Sequence, residues 1–403
     1  MDITSYTDFS ITSATLLTKY AGIWLPQNVA EARQRKISIS YTAVALLYGL
    51  FVNAIDVYYS WGDPSRCMYA ILNTMCISMT IIKLLILNSN RAELLDAFFY
   101  AQRHFWHGNY NSEEQPIFSI SVKYCTRFMY FAFAAQPATL SGYVITPLIE
   151  NLGQNKSNRA LPFKMWVDWP ISDTPYYELM FTFQVICLYL IGVAYVCPEM
   201  FLCLFNLHVM GQFRILQYRM SNFWNVKGKE IDEVMYADYC YAALKKCIQH
   251  HQLLIEFCDK VEQIYTMSIF THMVFLSLLM GLDCYEILVA DANPSVRLMF
   301  IFHVAGSLIH LCVLTYTCHL MMEESTNVTT TAYSGSWSTL PMNKAGRSLR
   351  SDLKFVMIRS LKPCCLTAGG FFPVSLETFT ALLSSTFSYF TLMREAFMRN
   401  DDE

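Results

Sequence analysis

Two carboxylates lie where a carboxylate is expensive. Glu199, next to Pro198, and Glu377 each sit inside a long apolar run. A charge in such a run is retained either to pair with another residue or to line a wet path. The run around Glu377, from Val374 to Met393, also carries Ser375, Thr378, Thr380, Ser384, Ser385, Thr386, Ser388 and Thr391. An apolar helix with that row of hydroxyls suits a helix meeting its own copies around a water-filled path. It equally suits close packing between membrane helices. Other reactive groups have plainer readings. His250 and His251 are adjacent and point to different faces of a helix, which favours packing over metal binding. Cys364 and Cys365 are adjacent as well, a poor fit to a tetrahedral metal site. The 14 cysteines are scattered, many within apolar runs, as small hydrophobes would be.

Signatures of catalysis are missing. The chain has no GxSxG, HExxH or Walker A segment, and no GxGxxG between a strand and a helix. There is no basic stripe with interleaved aromatics for nucleic acid, and no internal repeat of the secondary-transporter kind. We therefore expect no enzyme and no cofactor. The chain does hold 28 Phe, 25 Tyr, 7 Trp and 21 Met. These side chains build pockets for apolar guests and also fill any membrane core.

The bulk properties fix the class. Of 403 residues, 54% are hydrophobic and 15% charged, against roughly 25% charged in a soluble domain. Several apolar runs reach the ~20 residues that span a bilayer as a helix. The expectation is an all-α, seven-transmembrane helical membrane protein, with spans at 38–60, 66–88, 121–149, 176–207, 263–290, 295–320 and 371–397. No cleavable signal peptide precedes them, since the apolar patch near Leu16 is broken by Lys19.

Alternation of the loops gives two sets of basic residues. One side holds four (Lys19, Arg33, Arg35, Lys36), three (Arg91, Arg103, Lys123), seven (Arg214 to Lys260) and six (Lys344 to Lys362). The other holds Arg66, Lys156, Arg159, Lys164, Arg297, Arg394 and Arg399. That asymmetry predicts a cytosolic N-terminus and an extracellular C-terminus, opposite to a G-protein-coupled receptor. Segment 1–37 is then a cytosolic lead, 38–207 the first four spans, 208–262 a cytosolic helical anchor, 263–320 spans five and six, and 321–370 a cytosolic anchor helix. The sequon at Asn155 would lie outside and be open to glycosylation, and the one at Asn327 inside and unused. Lys83 and Arg127 would snorkel from cytosolic span ends, and Asp56, Asp283 and Glu286 would sit near the outer face.

Three segments, in order along the chain, carry a resemblance. Leu161-Pro162-Phe163-Lys164-Met165-Trp166 and Pro175-Tyr176-Tyr177-Glu178-Leu179 look like an LPFxxW…PxYEL pattern. His251-Gln252-Leu253-Leu254-Ile255-Glu256-Phe257, then Glu262-Gln263-Ile264, is similar to HQxILxF…ExI. Tyr333 and Trp337, Pro363, Leu366-Thr367-Ala368-Gly369 and Ser388-Tyr389-Phe390-Thr391-Leu392 complete the set. Together they resemble the insect odorant receptor family over nearly the whole chain. Val167-Asp168-Trp169-Pro170 departs from the family's usual Pro-aromatic step. The long insertion of the shared co-receptor is absent, so the resemblance is to an odorant-tuning subunit.

The resemblance implies a ligand-gated, nonselective cation channel in the plasma membrane of olfactory sensory neurons, surrounded by membrane lipid. It implies a heterotetramer with the odorant co-receptor and a pore lined by the seventh helix, 371–397. A small volatile odorant would bind among the outer halves of helices two to six. By the match at Ser388, Leu392 falls at a hydrophobic gate and Glu395 just outside it. By depth and helical face, the expected ligand-binding residues are Ile71, Met75, Thr139, Gly142, Phe181, Gln184, Phe275 and Leu279. Thr139 and Gly142 form a small pair one turn apart, with a hydroxyl to orient a guest. The alternatives are a G-protein-coupled receptor for a small apolar ligand and a membrane transporter.

Overall fold

The computed structural model describes residues 9–24, 26, 28–62, 64–106, 108, 110–152, 159–166, 172–224, 233–288, 294–339 and 342–401. Asn155 and segment 167–170 lie outside them. Among the described residues, ten α-helices follow in order: α1 (Phe9–Tyr20), α2 (Val29–Tyr59), α3 (Pro64–Ser89), α4 (Arg91–Ala101), α5 (Glu114–Glu150), α6 (Tyr176–Asn222), α7 (Glu233–Leu288), α8 (Pro294–Ser334), α9 (Lys344–Ser360) and α10 (Leu376–Asp401). Two short strands, β1 (Thr367–Ala368) and β2 (Phe372–Pro373), pair between α9 and α10.

Each of the seven expected spans overlaps a helix. Among the described residues, five helices are long and apolar enough to cross a membrane: α2, α3 from Cys67, α6, α7 from Met235 and α8 from Arg297. The other two, α5 and α10, are diluted by Gln136, Pro137, Thr139 and Ser141 in one and by the hydroxyl row in the other. Three helices outrun any bilayer. At 1.5 Å per residue, the 47, 56 and 41 residues of α6, α7 and α8 extend about 70, 84 and 62 Å, against a hydrocarbon core of about 30 Å. Their surplus lies at one end, with the C-termini of α6 and α8, the N-terminus of α7, and α4 and α9. We call this the anchor end and the opposite one the loop end.

The main core runs along these surplus lengths. It includes Phe201, Phe205 and Phe213 of α6, Phe257 and Tyr265 of α7, and Leu349 and Leu353 of α9. Helix α9 buries Ala345, Leu349, Leu353, Val356 and Ser360, one helical face. Asn343 caps it, accepting from the Gly346 N–H at 2.8 Å. A second, smaller core at the loop end holds Leu72, Met79, Tyr143, Phe163 and Leu279. All 14 cysteines are free and most are buried.

Ion pairs tie the anchor end. Arg219 of α6 grips Glu114 of α5 through Nε (2.6 Å) and Nη2 (3.1 Å), and Arg214 Nε donates to Glu324 of α8 at 2.7 Å. Burial opposes the charge on Glu114, but the bonds from Arg219 and from the Asn111 N–H outweigh it and hold the carboxyl below its usual range. His250 and His251 are both buried in the helical core of α7. Burial, helped by Arg219, pushes His250 down to about 3. Burial, helped by Arg359, pushes His251 down to about 4.

Helix α10 begins at Leu376, not at 371, because Gly369 and Gly370 close a hairpin first. Both have positive φ (62° and 78°), the left-handed backbone that the turn from Ala368 to Phe371 requires, and the Phe371 N–H closes it onto Ala368 O at 3.0 Å. The hairpin is stitched to α7: the Gly369 N–H donates to Thr266 O at 3.0 Å, and Glu262 accepts from the Thr367 N–H at 2.8 Å and from its hydroxyl. Helix α10 then runs alongside α7, with the Thr386 hydroxyl on Ser277 O at 3.4 Å.

Candidate functional site

A cavity of about 170 Å³ opens among α3, α5, α6 and α8. Close helix approaches frame it. A Cβ on Gly306 of α8 would stand 2.5 Å from Thr139 of α5, and one on Gly192 of α6 would stand 2.6 Å from Leu140 and 2.8 Å from Gln136. These glycines let α5 lie against both neighbours. The walls are mainly apolar, with Ile77, Phe128, Leu188, Ile191 and Val313 among them.

At the loop end, Phe163 closes the cavity. Its backbone is clipped by Gln184 of α6, whose Oε1 accepts from the Phe163 N–H (2.8 Å) while Nε2 donates to the Phe163 carbonyl (3.0 Å) and to the Tyr48 hydroxyl (3.0 Å). Tyr69 donates to Pro162 O at 3.2 Å, and Trp166 Nε1 to Asp56 at 2.8 Å. The short stretch 161–166 is thereby locked over the cavity by contacts to α2, α3 and α6.

At the other end the wall becomes polar. Lys83 of α3 is fully buried, not snorkelling as its position near a span end predicts, because Glu199 waits beside it. Its Nζ lies 3.0 Å from each Glu199 carboxylate oxygen and donates to Tyr195 O at 2.8 Å. Tyr195 O belongs to the turn before Pro198, where a helix is distorted and its carbonyls want other donors. His272 of α7 and His310 of α8 meet edge to face beside this pair, with ring centroids 4.7 Å apart. Asp283 is also fully buried, bonded to His303 Nδ1 at 2.7 Å instead of reaching the outer surface. Among the described residues no hydrogen bond reaches Gln136 Nε2 or either ring nitrogen of His310.

Of the residues expected to bind ligand, Thr139 lines this cavity. Gly142 lies one turn along α5 against Phe302. Gln184 works as the clip on Phe163, one layer behind the wall. Met75, Phe275 and Leu279 pack in the loop-end core. Phe181 lies at the loop-end start of α6 beside Tyr177, 5.8 Å between ring centroids. Ile71 faces outward, 37% exposed. The expected set omitted Gln136, His303 and His310. A signal for two of these was present: His303, Gly306, His310 and Val313 recur at three- and four-residue steps, one face of α8.

Helix α10 presents a different face. Glu377, Ser384, Ser388, Leu392 and Glu395 share one exposed stripe, while Phe390 and Thr386 turn inward toward the bundle. Ser388 donates to Ser384 O at 3.0 Å along the helix, and Leu392 is 63% exposed.

Comparison with known proteins agrees with this architecture. The family model described as 7tm Odorant receptor matches residues 65–387. "Odorant receptor 10" of Aedes albopictus is 23% identical over 396 residues, 96% of this chain and 99% of that protein. "Odorant receptor Or2" of Anopheles gambiae is 22% identical over 358 residues, 85% of this chain and 88% of that protein. The structure of the insect olfactory receptor OR5 from Machilis hrabei in complex with eugenol superposes with a TM-score of 0.77 at 12% identity, covering 96% of this chain and 97% of that one. The fold is therefore that of a solved insect olfactory receptor, and the chain belongs to the 7tm odorant receptor family.

Proposed function

We propose that this chain is the odorant-tuning subunit of a ligand-gated, nonselective cation channel. It would assemble with the odorant co-receptor as a heterotetramer in the plasma membrane of olfactory sensory neurons. Its seven spans would be α2, α3, α5, α6, α7, α8 and α10, with the N-terminus and anchor end in the cytosol and the C-terminus outside. The observation that carries this reading is the face of α10. A helix that buries Thr386 and Phe390 yet leaves Glu377, Ser384, Ser388, Leu392 and Glu395 exposed in one stripe suits a wet path between subunits. Leu392 would form the hydrophobic constriction, and Glu395 would add one carboxylate per subunit to attract cations. A small volatile odorant would bind in the cavity among α3, α5, α6 and α8, and family membership favours this over a G-protein-coupled receptor.

The test is patch-clamp recording with an odorant panel, with and without the co-receptor, for the native chain and Leu392→Ala. Odorant-evoked current independent of G proteins, with altered gating or raised resting current in the variant, is the expected result. A G-protein signal with no current would overturn the proposal.

A further inference from the structure

The cavity's unmade hydrogen bonds define its guest. Gln136 Nε2 is buried, seated over Gly192, and has no acceptor among the described residues. An amide nitrogen can only donate. His310 has both ring nitrogens buried and unbonded, and a neutral imidazole offers one donor and one acceptor. Each side chain lines the cavity, so the wall presents a surplus of donors to an otherwise apolar space. Leaving buried donors unmade is unfavourable, and a guest that brings an acceptor relieves it.

The full charges in the wall are already matched. Both oxygens of Glu199 lie 3.0 Å from Lys83 Nζ, which leaves no open carboxylate for an amine. The same pair leaves no free ammonium for an acid. A charged guest would be stripped of water with no counter-ion. The volume sets the size: about 170 Å³ is slightly more than an engineered apolar cavity of ~150 Å³ that holds benzene, so a guest of roughly six to ten non-hydrogen atoms fits.

We propose that the cavity is tuned to small neutral carbonyl compounds, ketones or esters, whose carbonyl oxygen accepts from Gln136 Nε2 or the His310 N–H while the alkyl chain fills the apolar remainder. This deepens the odorant-receptor reading and rests on it.

The experiment records currents from the chain with its co-receptor, using four probes matched in heavy-atom number: methyl pentyl ketone, octane, hexanoic acid and heptylamine at neutral pH. The ketone should be effective at concentrations at least about tenfold below the other three, the factor that one well-placed hydrogen bond supports. In Gln136→Met, which keeps the side-chain length, the ratio of ketone to octane sensitivity should collapse toward one. A folding defect lowers both responses and leaves their ratio. His310→Asn, which keeps a donor and an acceptor, should retain the ketone preference. Should Gln136→Met fail to reach the surface, the native chain decides alone. Silence to the ketone, or an acid, amine or octane response as strong as the ketone's, overturns the assignment. A ketone response carried by G-protein signalling without direct current would sink the channel reading and leave the ligand class standing.

Discussion

Glu262 and Thr367 are far apart in sequence yet bonded twice: the carboxylate accepts the Thr367 N–H at 2.8 Å and its hydroxyl as well. Two of the segments that resemble odorant receptors, ExI and LTAG, are thus the two halves of one joint. It fixes the start of α10 to the side of α7. Replacing Glu262 with Ala leaves the Thr367 N–H without its acceptor and should lower stability by about 2 kcal/mol, while Glu262→Gln keeps an oxygen and should lose about half that. Thermal unfolding of the solubilised protein measures both. Equal midpoints for Ala and native protein would contradict the joint's role.

The buried Lys83–Glu199 pair makes a sharper prediction. Lys83→Met strands a carboxylate in the bundle and should cost about 3–5 kcal/mol, enough to abolish surface expression. Lys83→Met combined with Glu199→Leu removes both charges and should restore much of it. Surface labelling of the two single variants and the double variant completes the cycle. A double variant as poorly expressed as either single would show that packing, not charge, dominates there.

Gln184 holds the backbone of Phe163, which lines the loop end of the cavity. Gln184→Leu removes two bonds to Phe163 and one to Tyr48. The odorant concentration for half-maximal current should rise about tenfold, with surface expression reduced much less, as dose–response curves normalised to surface labelling would reveal.

His250 and His251 give the pH dependence. Their folded values, about 3 and about 4, lie below the ordinary 6.5, so the unfolded chain binds protons more readily. Their contribution is fully present above 6.5 and is lost as pH falls through the window down to the folded values. At about pH 5 the loss should be about 2 kcal/mol per histidine. Unfolding midpoints followed from neutral to mildly acid pH should drop accordingly, and His250→Gln with His251→Gln should flatten the curve between those limits.

Much of the helix layout was legible because hydropathy and helical periodicity are local. The adjacent histidines fell into helix packing as their alternating faces implied, and each of the seven expected spans overlaps a helix. Hidden from the sequence were the long-range meetings. Lys83 looked like a snorkelling end residue, since nothing local reveals that α3 and α6 bring it to Glu199. Asp283 looked superficial for the same reason, with His303 on the next helix. Depth and helical face identified Thr139 at the cavity but could not tell wall from clip at Gln184, because that distinction depends on where the 161–166 stretch lies. The start of α10 was misjudged by five residues, although Gly369-Gly370 carried the turn signal.

Of the four helices that wall the cavity, α8 is the one packed along α10. On the proposed reading, a guest touching α5 would reach the last helix through α8, and one touching α3 or α6 through α7 as well, since α7 packs on both and on α10. Recognition and response would then share α8 as their common wall. Substitutions on the cavity face of α5 would then change which molecule is sensed with the least effect on how readily the receptor answers. Substitutions at Val313, on the α8 wall of the cavity, would change both together.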